Sequence, residues 1–327
     1  MGVDLRTGDI LGHDPARYIT KIAAVSSGGE CRRWRQFLSE ITAGNAELQG
    51  FLQRVVGYAL TGSTREHALF FAYGTGGNGK GIFLNTVSAI LADYAKTAPM
   101  ETFTATQNDR HPTELAGLMG ARLVTAQETE SGKRWAESKI KSMTGGDPIS
   151  ARFMRQHFFE FTPQFKLLIA GNHKQGLRGV DEAIRRRFHL IPFTVTIPPA
   201  ERDKDLAEKL KPEWPGILQW AIDGCLEWQR VGLAPPAIVR DATEAYLAAE
   251  DAIAQWLEEN CCRDPAYAER SSVLFANWKI WADQAGEFPG SQKRFSQALE
   301  DRGLSRDHDP YTRQAIFRGL TLRADHA

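Results

Sequence analysis

The stretch "FFAYGTGGNGKGIFLNT", residues 70 to 86, constrains the fold more than any other part of the chain. An apolar run from Ala68 to Tyr73 stops at Gly74, a glycine-rich loop with one lysine follows, and Phe83, Val87, Ile90, Leu91 and Tyr94 then recur at helical spacing. That is strand, loop, helix, an arrangement that gathers backbone N–H groups at a helix N-terminus and suits an anion. Two phosphate patterns share these residues. Gly74, Gly76 and Gly79 satisfy G-x-G-x-x-G, the dinucleotide fingerprint, whereas Gly74, Gly79 and Lys80 satisfy the triphosphate pattern G-x-x-x-x-G-K up to its last position. Lys80 decides between them. A dinucleotide site has no use for an ammonium at the first helical turn, and the acid it needs about twenty positions on would be Glu101, after the weak strand "KTAPM". The expectation is therefore a nucleoside triphosphate held by Gly74, Thr75, Gly76, Gly77, Asn78, Gly79, Lys80 and Gly81. Gly81 replaces the Ser or Thr whose hydroxyl would ligate Mg²⁺, so a water held by nearby carboxylates is expected in that place.

A triphosphate loop needs a second strand ending in acid. "RLVTAQETES" supplies one, with Glu128 and Glu130 two apart and hence on one side of an extended chain, one to orient metal-bound water and one to act as base. "FKLLIAGN" and "FHLIPF" are further short apolar runs, as expected of buried parallel strands whose carboxyl ends carry the chemistry. Between Ile149 and Phe161 the alternating "ISARFM" and "FFEF" runs predict a hairpin with Arg155, Gln156 and His157 at its tip. Charge and hydrogen-bond donors there suit a phosphate backbone.

The 327 residues imply two or three folding units. Residues 1–64 read as a turn-rich tail and a helical collar, with two amphipathic helices hinged near Gly44 and Asn45. The α/β core is placed at 65–196, a helical region at 197–264, and a winged-helix-like module at 265–327, with helices around Leu274 to Ala285 and from an N-capping Ser291 to Arg302, and a closing two-strand pattern around Ala315 to Leu322. Forty basic residues balance forty acidic ones, so any nucleic-acid contact must come from a local basic lining. The four cysteines have no C-x-x-C spacing, which disfavours a zinc knuckle or a disulfide framework and points to a reducing, cytoplasmic setting. No run approaches membrane-spanning length.

With the loop, "AQETE", "KSMTGGDPISAR", "FKLLIAGNHK" and "AIRRRFHLIPF" in that order, the chain resembles the superfamily 3 helicases of the AAA+ class, and among them the phage and plasmid primase-helicases. The resemblance covers nearly the whole chain. It implies an ATP- and Mg²⁺-dependent, ring-forming, hexameric replicative helicase acting on single-stranded DNA, with an AAA+ P-loop core, a helical collar for oligomerisation and the winged-helix-like end. By position it makes Lys80 the triphosphate lysine, Glu128 and Glu130 the metal and water-activating acids, and Asn172 the sensor amide that orients water against the γ-phosphate. Lys141 and the arginines Arg186 and Arg187 would be supplied across a subunit boundary, and the hairpin would project into the central channel. No zinc-binding cluster or polymerase-type carboxylate pair precedes residue 30, so the primase domain is expected on another chain or removed, with other replication proteins as further partners. The competing expectation is a nucleotide-gated DNA-binding or loading module whose turnover Gly81 has cost.

Overall fold

The computed structural model describes residues 2–105, 113–127, 133–177 and 179–323. It divides into two compact units, the first comprising residues 1–176 with 182–246 and the second 177–181 with 247–327.

The first unit is built on a five-stranded sheet of β1 (Leu69–Tyr73), β2 (Ala95–Thr97), β3 (Leu123–Gln127), β4 (Lys166–Gly171) and β5 (Phe188–Pro192). The spatial order is β2-β3-β4-β1-β5 and every pairing is parallel. Leu69, Phe70, Phe71 and Ala72 are all buried, which is why β1 reads as an unbroken apolar run: both faces of a parallel strand are covered. Its register sets Tyr73 beside Gly171 on one side and Pro192 on the other, so the loop after β1 opens at the carboxyl edge between β4 and β5. β2 is short and largely exposed, an edge strand.

Helices α1 (Arg32–Ile41) and α2 (Ala46–Ala59) break at Gly44, where φ is 74°, and Asn45 caps α2 by accepting from the Leu48 amide at 2.9 Å. They share one apolar cluster with the sheet, with α3 (Lys80–Leu91) and with α5 (Trp214–Val231); α4 (Glu137–Gly145) lies between them in sequence. Trp34 of α1 stacks on Phe83 of α3 at 5.6 Å and meets Trp220 of α5 edge-on at 5.6 Å. Where α2 crosses α5 the backbones nearly touch. A Cβ on Gly57 would lie 2.7 Å from the Cys225 Cα and closer still to the peptide before it, so only glycine permits this crossing.

The carboxyl end of α2 is held by two cations from the amino ends of the strands. Arg122 donates to the Leu60 carbonyl at 2.7 Å, and Lys166 donates to the carbonyls of Thr61, Ser63 and Gln164 while lying 4.6 Å from the Tyr58 ring. The Leu60 carbonyl is one that the helix end leaves without an intrahelical partner, and the others belong to the turn after α2 and to the residues before β4. Burial pushes the Lys166 ammonium well below its usual range, and it pushes the Tyr58 hydroxyl up to about 12.

The second unit contains α6 (Ala252–Asn260), β6 (Cys261–Arg270), α7 (Ser271–Gln284), α8 (Gln292–Glu300), β7 (Arg306–His308) and β8 (Ala315–Leu322) around Trp256, Trp278, Phe295 and Phe317. Ser291 caps α8, accepting from the Arg294 amide at 3.3 Å. The segment expected to hold two closing strands is one strand, β8, with β6 and β7 on either side of it, all antiparallel. β6 escaped the periodicity reading because its residues are mostly exposed and its register with β8 shifts between Arg263 and Ala268, around Pro265, which has no N–H for a ladder. Among the described residues no helix is long and apolar enough to cross a membrane.

Candidate nucleotide site and its surroundings

The glycine loop is shaped by what packs behind it. A Cβ on Gly74 would strike the Phe193 carbonyl oxygen, which the Asn78 amide already holds at 3.0 Å. Gly79, the residue before α3, has φ of 81°, and a Cβ there would sit 2.5 Å from Ile41 Cγ2 and 2.9 Å from Phe37 Cε2 of α1. The left-handed backbone and the tight contact each demand glycine. Residues beyond β5 wall the loop on one flank, with the Ile197 amide donating to the Gly77 carbonyl at 2.9 Å.

Lys80 is 6% exposed, and its ammonium donates to the Gly74 carbonyl at 2.5 Å, to Asn78 Oδ1 at 3.1 Å and to Asn172 Oδ1 at 3.3 Å. Asn78 thus braces the lysine with its oxygen and the post-β5 segment with its nitrogen. The sequence marked it only as a loop position. Asn172 follows β4, the strand beside β1, and is exposed at the carboxyl edge. Two residues 92 apart in sequence therefore meet at one point. Thr75 and Gly77 are exposed on the loop, and Gly81 has open space where a side chain would begin.

β3 ends at Gln127, whose side chain donates to Asn85 Oδ1 of α3 at 3.2 Å, so this strand also terminates at the same edge. Glu128 and Glu130 lie outside the described residues. No grouping of three or more His, Cys, Asp or Glu able to hold a metal occurs among the described residues.

The expected trans residues are separated by the fold. Arg187 is 6% exposed, its Nε donating to Thr144 Oγ1 of α4 at 3.1 Å and its Nη1 to the Ala183 carbonyl at 2.8 Å. Arg186 is exposed, and Lys141 is half-buried on α4.

Strands Ile149–Ala151 and Phe159–Phe161 pair antiparallel, with Ser150 opposite Glu160. Arg155, Gln156 and His157 are exposed in the connection, and Arg155 has φ of 61°. The loop also carries apolar side chains that the charge-centred reading passed over: Met154 is 68% and Phe158 59% exposed, with the Arg152 guanidinium 4.8 Å from the Phe158 ring. The sequence signal was present in "RFMRQHFF", whose aromatics flank the basic residues.

Comparison with known proteins adds a family model described as a family of unknown function (DUF5906), which matches residues 72–187, the span from β1 to the paired arginines. The chain is 29% identical over 255 residues to "Putative helicase 022R" of Frog virus 3 (isolate Goorha), a match covering 71% of this chain and 26% of that protein. It is 24% identical over 280 residues to "Putative helicase L207/L206" of Acanthamoeba polyphaga mimivirus, covering 78% of this chain and 29% of that one. The chain thus spans less than a third of the length of either relative. Among solved structures, the apo NrS-1 C-terminal region (305-718) superposes with a TM-score of 0.58 at 11% identity, over 91% of this chain and 78% of that one. The A form apo structure of the NrS-1 C-terminal region gives 0.56 at 11%, over 80% and 59%. At such identities the likeness is one of fold: an α/β unit on a parallel five-stranded sheet, in a chain that shares sequence with viral proteins bearing helicase names.

Proposed function

We propose that this chain is the ATP-hydrolysing part of a ring-forming replicative DNA helicase, of the superfamily 3 AAA+ kind found in phage and plasmid primase-helicases, moving on single-stranded DNA as a homo-hexamer. The observation that carries the reading is the meeting of Lys80 and Asn172, from the loop after β1 and the end of the neighbouring β4, at 3.3 Å. A lysine on the terminal phosphates and an amide able to orient water against the γ-phosphate need this convergence. The sheet order supports it too, since β4, with Asn172 at its end, lies between the loop strand β1 and β3, and all three end at one carboxyl edge. The helicase names of the viral relatives agree with the class.

In this reading Lys80 and the amides of Gly76 to Gly81 bind the triphosphate, and Asn172 aligns the attacking water. Glu128 and Glu130 are the residues that would hold Mg²⁺, which neutralises charge on the phosphates, and the open space at Gly81 accommodates a metal-bound water in place of a hydroxyl. Arg186, exposed, is the arginine of the pair that can reach a neighbouring subunit; Arg187 holds α4 in its own. The hairpin Arg155, Gln156 and His157 grips the DNA backbone. Residues 1–64 serve as a collar, residues 197–264 form the helical region, and the helix-strand-helix-helix-strand-strand order from α6 to β8 is that of a winged helix.

Steady-state ATP hydrolysis with and without single-stranded DNA tests the proposal. Stimulation by DNA, abolition by Lys80→Ala, and loss of turnover by about a thousandfold or more in Arg186→Ala with nucleotide affinity nearly retained are expected. Turnover indifferent to DNA would favour a nucleotide-gated loading module instead, and normal turnover in Lys80→Ala would end the triphosphate assignment.

A further inference from the structure

The geometry points to Arg202 as a nucleotide-binding residue, a guanidinium contributed by the same chain as the glycine loop and placed against the phosphates nearest the nucleoside. Arg202 follows the short turn Pro199–Glu201 beyond β5, inside a run of charged residues that carries no phosphate-binding pattern. The fold nevertheless lays it on the loop. A Cβ built on Gly77 would be 2.9 Å from Arg202 Cζ and nearer still to Nη2, so the guanidinium occupies the space that a side chain at Gly77 would take.

The arginine is anchored. Its Nε donates to the Ile197 carbonyl at 2.8 Å, while the Ile197 amide donates to the Gly77 carbonyl at 2.9 Å, so loop and arginine are tied through one residue. This single anchor leaves the Nη donors for another acceptor. The adjacent Asp203 is engaged elsewhere: Lys209 holds its carboxylate at 2.8 Å, the larger part of what keeps that carboxyl below its usual range. Among the described residues no carboxylate pairs with Arg202, which is exposed.

Its place on the loop indicates which phosphates it meets. Lys80 reaches toward β4 and Asn172, and that flank belongs to the terminal phosphate. Arg202 stands on the opposite flank, beside the segment that follows β5 and over Gly77 of the loop, whose backbone amides in this pattern cradle the α- and β-phosphates. An arginine there presents a fork of donors to phosphate oxygens common to nucleoside di- and triphosphates. It also needs no neighbouring subunit, unlike Arg186.

The inference rests on the triphosphate reading of the loop, and equilibrium binding separates the two. Fluorescent ADP and ATP analogues are titrated into the full chain as wild type, Arg202→Gln and Arg202→Lys, with thermal melting to confirm that each is folded. We expect Arg202→Gln to weaken ADP and ATP alike by about tenfold to a hundredfold, and Arg202→Lys to recover part of the loss. Undiminished ADP affinity in folded Arg202→Gln, with wild type binding normally, overturns the role of Arg202 alone. A loss confined to ATP overturns it also, by moving the residue to the terminal phosphate. Wild-type protein that binds neither nucleotide overturns the site reading and the inference together.

Discussion

His189 offers a test of the core that supports the loop. It lies in β5, in register with Phe70 of β1, and its ring stacks on Phe70 at 5.4 Å and tilts against Phe51 of α2 at 6.1 Å. Burial among these rings lowers its pKa from 6.5 to about 4. The imidazole is therefore neutral in the folded protein and takes up a proton more readily when unfolded. Above the unfolded pKa both states are neutral and the full stability is present; as pH falls from about 6.5 toward 4 the unfolded state binds the extra proton and stability declines. Between about pH 7.5 and pH 5 the shift is worth about 2 kcal/mol, and because the residue keeps some exposed edge, about 1 to 2 kcal/mol is the expected loss. Urea unfolding of wild type and His189→Phe at both pH values isolates it, since other titrating groups are common to the two proteins. The variant should lose correspondingly less on acidification. An equal loss in both would show that the ring is hydrated enough to protonate in place, and the burial argument would be wrong.

Gly57→Ala should destabilise the first unit by about 1–3 kcal/mol or more, because its methyl would meet the α5 backbone and not a flexible side chain; a urea midpoint matching wild type would mean that α2 and α5 can part freely. Replacing Arg155 and His157 by alanine should weaken single-stranded DNA binding and reduce the slope of log affinity against log salt by about 0.7 per lost phosphate contact, without lowering basal ATP hydrolysis. An unchanged slope would place the DNA away from the hairpin.

Much of the architecture was legible in the chain because it is written locally. The apolar runs at 69–73, 123–127, 166–171 and 188–192 are strands, Gly44 and Asn45 divide two helices, and Ser291 caps α8, each decided by neighbours a few positions away. The glycine loop belongs to the same class, since its backbone demands are met by residue types at fixed spacing. Strand order, in contrast, depends on which surfaces fit at long range, and only the folded chain puts β4 between β1 and β3. The same holds for the site. Arg186 and Arg187 are identical in sequence terms, yet one faces solvent and the other is tied to Thr144, because successive residues of the turn between the helical segment Glu182–Arg185 and β5 point in different directions and only one of them meets α4. Arg202 had no local signature at all, and β6 was hidden by its polarity and its proline until β8 paired with it. Periodicity reports which face of an element is buried; what that face meets is settled by complementarity between segments far apart in the chain, and that information exists only in the tertiary structure.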